Sequence, residues 1–217
     1  MRNRFDKQLK SLNDRLTEMG MQCEEVIALA STALSENNME MAEKVHGGDD
    51  EIDRLERDIE SLCLKMLLQQ QPVARDLRQI SAALKMITDL ERIGDQAADI
   101  AEIILFLNGR STIQCQDIKE MAKVIIKMVD SSIEAYVKRD LELAKKVQQA
   151  DDKVDDLFLK IKNNIIGMIA KNQADGEFAI DMLMIAKYFE RIGDHAVNVA
   201  EWVEFSLTGV HKGFVEM

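Results

Sequence analysis

Proline is almost missing from this sequence. One residue, Pro72, serves 217 positions, and aromatic side chains make up only 5%. β-rich domains draw on aromatic residues and place proline in their turns, and this chain has few of either. Cysteine is scarce too: Cys23, Cys63 and Cys115 are odd in number, far apart and in no C-x-x-C pair. They suggest neither a disulfide framework nor a thiolate zinc site, and they suit a reducing compartment. Positive charge is in deficit, with 28 Lys and Arg against 39 Asp and Glu, a net charge of −11. Nucleic-acid binding needs a basic stripe, so that partner class is excluded, whereas a cation would be welcome. No apolar run approaches the roughly 18 residues of a membrane span. The N-terminal MRNRFDKQLK has no apolar core of a signal peptide, so the expected location is cytoplasmic. No glycine-rich phosphate loop is present. With only His46, His195 and His211, no catalytic triad or Cys/His pair suggests itself, so no enzyme is expected.

What is present is a helical vocabulary, used twice. Hydrophobic residues reach 47% and Ala, Leu, Ile, Met, Glu and Lys dominate, which predicts an all-α protein with a packed core. MEMAEKVHGGDDEID from Met39 returns as LELAKKVQQADDKVD from Leu141, 102 residues on, and Met19, Ala33 and Met66 meet Met121, Ala135 and Met168 at that shift. The pentapeptide Glu91-Arg92-Ile93-Gly94-Asp95 returns unchanged at Glu190-Arg191-Ile192-Gly193-Asp194, 99 residues on, so three residues are lost near the turn after Lys171. Such a period is too long for a solenoid and predicts two tandem three-helix bundles, 1–110 and 111–217. Asn38 and Asp140 are the expected N-caps of each second helix, and Pro72 precedes a helix start. Ile52, Leu55, Ile59, Leu62 and Met66 space as an apolar seam. Gln149-Ala150 carries no turn signal where the first copy has Gly47-Gly48, which predicts one continuous second helix in both copies.

Acidic residues line the third helix of each copy. At about 100° per residue, Glu91, Asp95, Asp99 and Glu102 fall within about 80° of one another, and so do Glu190, Asp194, Asn198 and Glu201. Glu91 and Glu190 lie on or beside the apolar seam, followed by glycine and alanine. Helix two adds Asp49 and Asp53 in the first copy, Asp151 and Asp155 in the second. Counted from the turn, an antiparallel pairing puts these pairs at similar heights. Arg92 and Arg191 point about 100° from their glutamates and are expected to be poor partners for them. Facing carboxylates repel unless neutralised, and hard cations with oxygen ligands are the natural remedy: Fe³⁺, Mn²⁺, Mg²⁺ or Ca²⁺, with Zn²⁺ also eligible. The glycine then reads as room for close helix approach. His195 is an added ligand candidate without a counterpart, since copy one has Gln96.

The bland reading of these acids is a solvated face with ion pairs along the helix, and repetition on two facing helices weighs against it. Trp202 and the methionines read as packing residues. A di-iron oxidase would want Glu-x-x-His twice. The chain offers it once, Glu43 to His46, and the copy reads Lys145 to Gln148.

Two longer phrases, ERIGDQAADIAE from Glu91 and ERIGDHAVNVAE from Glu190, together with Asp49/Asp53, Asp151/Asp155 and QQPVARDLRQI from Gln70, resemble the PhoU family of phosphate-signalling proteins over essentially the whole chain. The resemblance implies two three-helix bundles, often as a homodimer. It implies multinuclear metal clusters, iron or zinc for example, at Glu91, Asp95, Glu190, Asp194, Asp49, Asp53, Asp151 and Asp155, with Asp99 and Asn198 at the next matching positions. It implies repression of the phosphate-starvation response when phosphate is plentiful, through contacts with the phosphate ABC transporter ATPase and a sensor histidine kinase. The unlike pairs Gln96/His195 and Asp99/Asn198 argue against equal sites. The competing reading is a structural adaptor whose acids dock partners without metal.

Overall fold

The computed structural model describes residues 2–70, 72–107, 116–171 and 175–211, with the side chains of residues 2, 3, 49 and 70 outside that description. Among the described residues, seven helices make up the fold: α1 (Arg2–Glu36), α2 (Met39–His46), α3 (Asp49–Gln70), α4 (Ala74–Leu107), α5 (Gln116–Lys138), α6 (Leu141–Ala170) and α7 (Gly176–Thr208). Among the described residues there is no strand. The proposed cut at 110/111, the connector 108–110, the turn residues 172–174 and Cys115 lie outside the described residues. Cys23 and Cys63 are free thiols in the core.

Local chemistry starts α2 and α6 where the sequence indicates, and Asp175 caps α7 in the same way. The Asn38 side chain accepts from Met41 N at 3.1 Å, Asp140 from Leu143 N at 3.0 Å, and Asp175 from Phe178 N at 2.8 Å. Each satisfies one of the four N–H groups that a helix start leaves without a partner. Replacing Asn38 by alanine is expected to cost about 1 kcal/mol, read as a lower urea midpoint with unchanged slope. A stability equal to wild type would show the cap to be dispensable.

One expectation is corrected. The second helix of the first copy is not continuous: it stops at His46 and resumes at Asp49. Gly47 N–H still bonds Glu43 O, but Gly48 N–H tightens onto Val45 O at 3.0 Å. A Cβ on Gly48 would lie 2.8 Å from the Lys44 carbonyl oxygen, so the break relies on glycine there. The second copy has Gln149-Ala150 at that place and α6 runs straight through.

The helices form two duplicated bundles, α1–α4 and α5–α7, fused along α4 against α7 and α1 against α5. One continuous core runs through both. Ile52, Leu55, Ile59 and Met66 are buried in it, with Leu62 at its margin. The pairing of α4 with α7 is antiparallel and reciprocal. Asp89 of α4 meets Asn198 of α7, and Asp99 of α4 meets Tyr188 of α7. At the 99-residue shift Asp89 corresponds to Tyr188 and Asp99 to Asn198. The two contacts are therefore images of one another about an approximate two-fold axis.

Candidate functional site

The glycine of each pentapeptide sits where the second and third helices of a copy press together. A Cβ on Gly94 would lie 2.9 Å from Ile52 Cδ1, and one on Gly193 would lie 3.2 Å from Val154 Cγ1 and 3.4 Å from Asp151 Oδ1. Close approach brings the flanking acids of the paired helices into one electrostatic field.

In the second copy that field joins five carboxylates. Burial first, then Asp155, Asp194, Glu190 and Asp152, push the Asp151 carboxyl up to about 6. Asp194 is raised as well, by burial and then by Glu190, with Lys187 opposing. Lys187 forms an ion pair with Glu190 one turn along the helix. The expected set Asp151, Asp155, Glu190 and Asp194 is thus brought together. In the first copy, burial and then Asp95 raise Glu91, with Glu56 and Asp53 adding to it. Glu56 is a member the sequence stripe did not indicate, because it lies one turn beyond Asp53 on α3. The Asp49 side chain lies outside the described residues.

Arg92 departs from expectation. Its Nη1 donates to Asp95 Oδ2 at 2.8 Å and its Nε lies 3.5 Å from Glu91 Oε2, so it serves both acids. A direction taken at the Cα ignores the reach of the arginine stem, which folds back along the helix surface.

The third positions of the stripe face the other copy. Asn198 Nδ2 donates to Asp89 Oδ1 at 3.0 Å, and the His195 ring nitrogen Nδ1 lies 2.9 Å from the same oxygen. The Tyr188 hydroxyl donates to Asp99, whose carboxyl is raised by burial and by Asp95. Asp89 is the residue sequence reasoning missed. Its signal is weak, since the repeat puts tyrosine in its place. Among the described residues, no three His, Cys, Asp or Glu side chains are grouped closely enough to hold one ion. The donor chemistry nevertheless fits hard cations: oxygen ligands only, in excess of their counter-charges, half-buried at Asp53, Glu91, Asp95, Asp151 and Glu190 and exposed at Asp155 and Asp194.

The raised Asp151 carboxyl has a consequence for pH. In the unfolded chain it titrates near 4. A carboxyl raised on folding is protonated more readily in the native state, so stability falls as pH climbs from about 4 through 6. Asp151→Asn removes that loss. The variant's advantage over wild type is expected to grow across this window, in metal-free buffer, to about 1 kcal/mol after allowance for solvent screening. An advantage that stays constant with pH in urea titrations would contradict it.

The family model described as "PhoU domain" matches residues 16–104 and again 118–203. A phosphate-specific transport system accessory protein PhoU homolog of Clostridium acetobutylicum is 36% identical over 94% of each chain, and one of Aquifex aeolicus is 37% identical over 85% of this chain and 84% of its own. The crystal structure of PhoU from Pseudomonas aeruginosa superimposes with a TM-score of 0.87 at 31% identity, covering 95% of this chain and all of that one. The crystal structure of the phosphate transport system regulatory protein PhoU from Streptococcus pneumoniae gives 0.89 at 27% identity, over 97% and 100%. Among the described residues, no helix is long and apolar enough to cross a membrane.

Proposed function

Because this chain belongs to the PhoU family, we propose that it is a non-enzymatic regulator of phosphate uptake. It holds down the phosphate-starvation response when phosphate is plentiful. It works in the cytoplasm by protein contacts, with the ATPase of a phosphate ABC transporter and a sensor histidine kinase as its partners, and it reaches the membrane through them. The observation that carries the reading is the duplicated acidic site in a chain similar along its length to accessory proteins of phosphate-specific transport. A strain lacking the chain should express phosphatase in high phosphate, and pull-downs with the two partners should retain it. Normal repression in the deletion strain would overturn the regulatory role.

Cation binding belongs to the same proposal. Asp151, Asp155, Glu190 and Asp194 would hold an ion in the second copy, and Asp53, Glu91 and Asp95 are the donors of the first. A bound cation would supply positive charge that draws α6 to α7 and α3 to α4. Iron or zinc in a multinuclear cluster is the expected cargo, with manganese, magnesium or calcium as the other candidates. Side chains would have to close inward around the ion, since among the described residues no three converge as they stand. Metal analysis of protein purified without chelator is the test. The Glu190→Ala/Asp194→Ala double variant is expected to lose the second copy's metal while the first copy keeps its own, so total content falls to about half. Equal metal content in wild type and variant would remove these residues from the site.

The adaptor reading draws support from Arg92 and Lys187, which already provide counter-charge to Asp95 and Glu190. Under it, the double variant keeps its partners and its stability.

A further inference from the structure

Three arginines gather at the end of the molecule where α4 begins and α5 turns into α6. Arg139 occupies that turn with φ of 59°, in the left-handed region. The first copy has Asn37 at this station, with φ of 50°. Asparagine is enriched in that conformation, whereas arginine gains nothing from it, so Arg139 is not there for its backbone. Its Nη1 donates to Oε1 of the buried Gln79 at 2.9 Å, and Tyr136 fixes the same residue by donating to the Gln79 carbonyl at 3.0 Å. Arg75 lies one turn before Gln79 on α4, on the same face, and Arg78 is its neighbour in sequence.

These cations are poorly compensated in a chain of net charge −11. None of the three makes an ion pair among the described residues. Burial and the charges of Arg75 and Arg78 hold the Arg139 guanidinium below its usual range, with Asp76 opposing. Arg78 Nε is buried with no hydrogen-bond partner among the described residues. Its guanidinium lies against the end of α7, where a Cβ on Gly209 would meet Arg78 Cδ at 3.6 Å and Cζ at 3.8 Å. A buried donor without an acceptor is costly, and crowded guanidinium groups call for an anion with several oxygens. The pseudo-symmetric end of the molecule offers Asn37 and Glu177 instead, so the cluster is not a by-product of the duplication.

We propose that Arg75, Arg78 and Arg139 form a binding site for a multiply charged tetrahedral oxyanion, phosphate either free or carried on a small phosphomonoester. Three guanidinium forks from two segments suit an anion with three or four acceptor oxygens better than a single carboxylate. The site is distant in sequence and opposite in charge from the acidic one, and it does not depend on metal.

The test is thermal unfolding of the full chain in phosphate-free buffer at fixed ionic strength, titrated separately with inorganic phosphate, phenyl phosphate and acetate. A ligand that binds only the native state raises Tm with its concentration. Inorganic phosphate is expected to do so if the ion binds free, and phenyl phosphate alone if the site takes a monoester. Arg78→Gln and Arg139→Asn are each expected to weaken the response at least about tenfold, the loss of one charge-assisted hydrogen bond. Arg139→Asn copies the residue of the first repeat and keeps the fold, and it should raise Tm in the anion-free buffer by removing like charge. No response to either phosphate beyond that to acetate would overturn the proposal, as would an undiminished response in both variants.

Discussion

Phe189→Ala is expected to lose about 3–5 kcal/mol of stability, enough to leave the protein partly unfolded under ordinary conditions. Phe189 is among the largest fully buried side chains, and it projects from α7, the helix that packs on α4, α5 and α6. A cavity there opens in the one continuous core, on a helix held by three others. The repeat supplies a control. The residue 99 positions earlier is Leu90, which is equally buried. Phe189→Leu should therefore cost far less, about 1 kcal/mol. Urea denaturation checks both. A loss below about 1 kcal/mol for the alanine variant would mean that α7 is not the shared core element described here.

Gly94→Val is expected to cost about 2–3 kcal/mol and to weaken cation binding although every carboxylate remains in place. The Cβ alone would lie 2.9 Å from Ile52 Cδ1 and 3.4 Å from Ile52 Cγ2, before either valine methyl is added, so α3 must retreat from α4. Gly94→Ala sets a smaller clash, which the far end of Ile52 can relieve by turning, against a helix-propensity gain of about 1 kcal/mol. It should lie near wild type. Gly193→Val applies the same wedge between α7 and α6, where Asp151 Oδ1 itself is 3.4 Å away. Isothermal titration with Mn²⁺, run beside urea denaturation, separates fold from site. A valine variant with wild-type stability and wild-type cation affinity would refute the reading of these glycines as spacers.

Much of this architecture was legible because it was written twice. Two copies gave the caps Asn38 and Asp140 and the seam from Ile52 to Met66 independent support, and they set Asp151 against Glu190 and Asp194. The same reliance on repetition misled at Gly47-Gly48. There the copies differ, and a glycine pair permits a turn that glutamine and alanine do not. Helical angles placed Glu91 and Glu190 near the seam, and both are in fact half-buried at its edge. Angles cannot report the reach of long side chains, which is why Arg92 was misjudged. Contacts between copies were out of view altogether. Asp89 and Asn198 stand far apart in sequence and match no repeat partner in kind, and so do Arg78 and Arg139.

The reciprocal contacts of Asp89 with Asn198 and Asp99 with Tyr188 bear on how the chain can evolve. Two antiparallel helices exchanged by a two-fold axis carry equivalent stations, so each acidic site has its counterpart toward the opposite end of the pair. In a symmetric dimer of single repeats, each change would fall on both sites at once. Fusion into one chain lifts that constraint. One half can place His195 where the other keeps Gln96, or load one end with Arg78 and Arg139 where the rotated end carries Glu177 and Asn37. The molecule then has direction: a partner lying across the paired sites meets a left that differs from its right, and can bind in only one orientation.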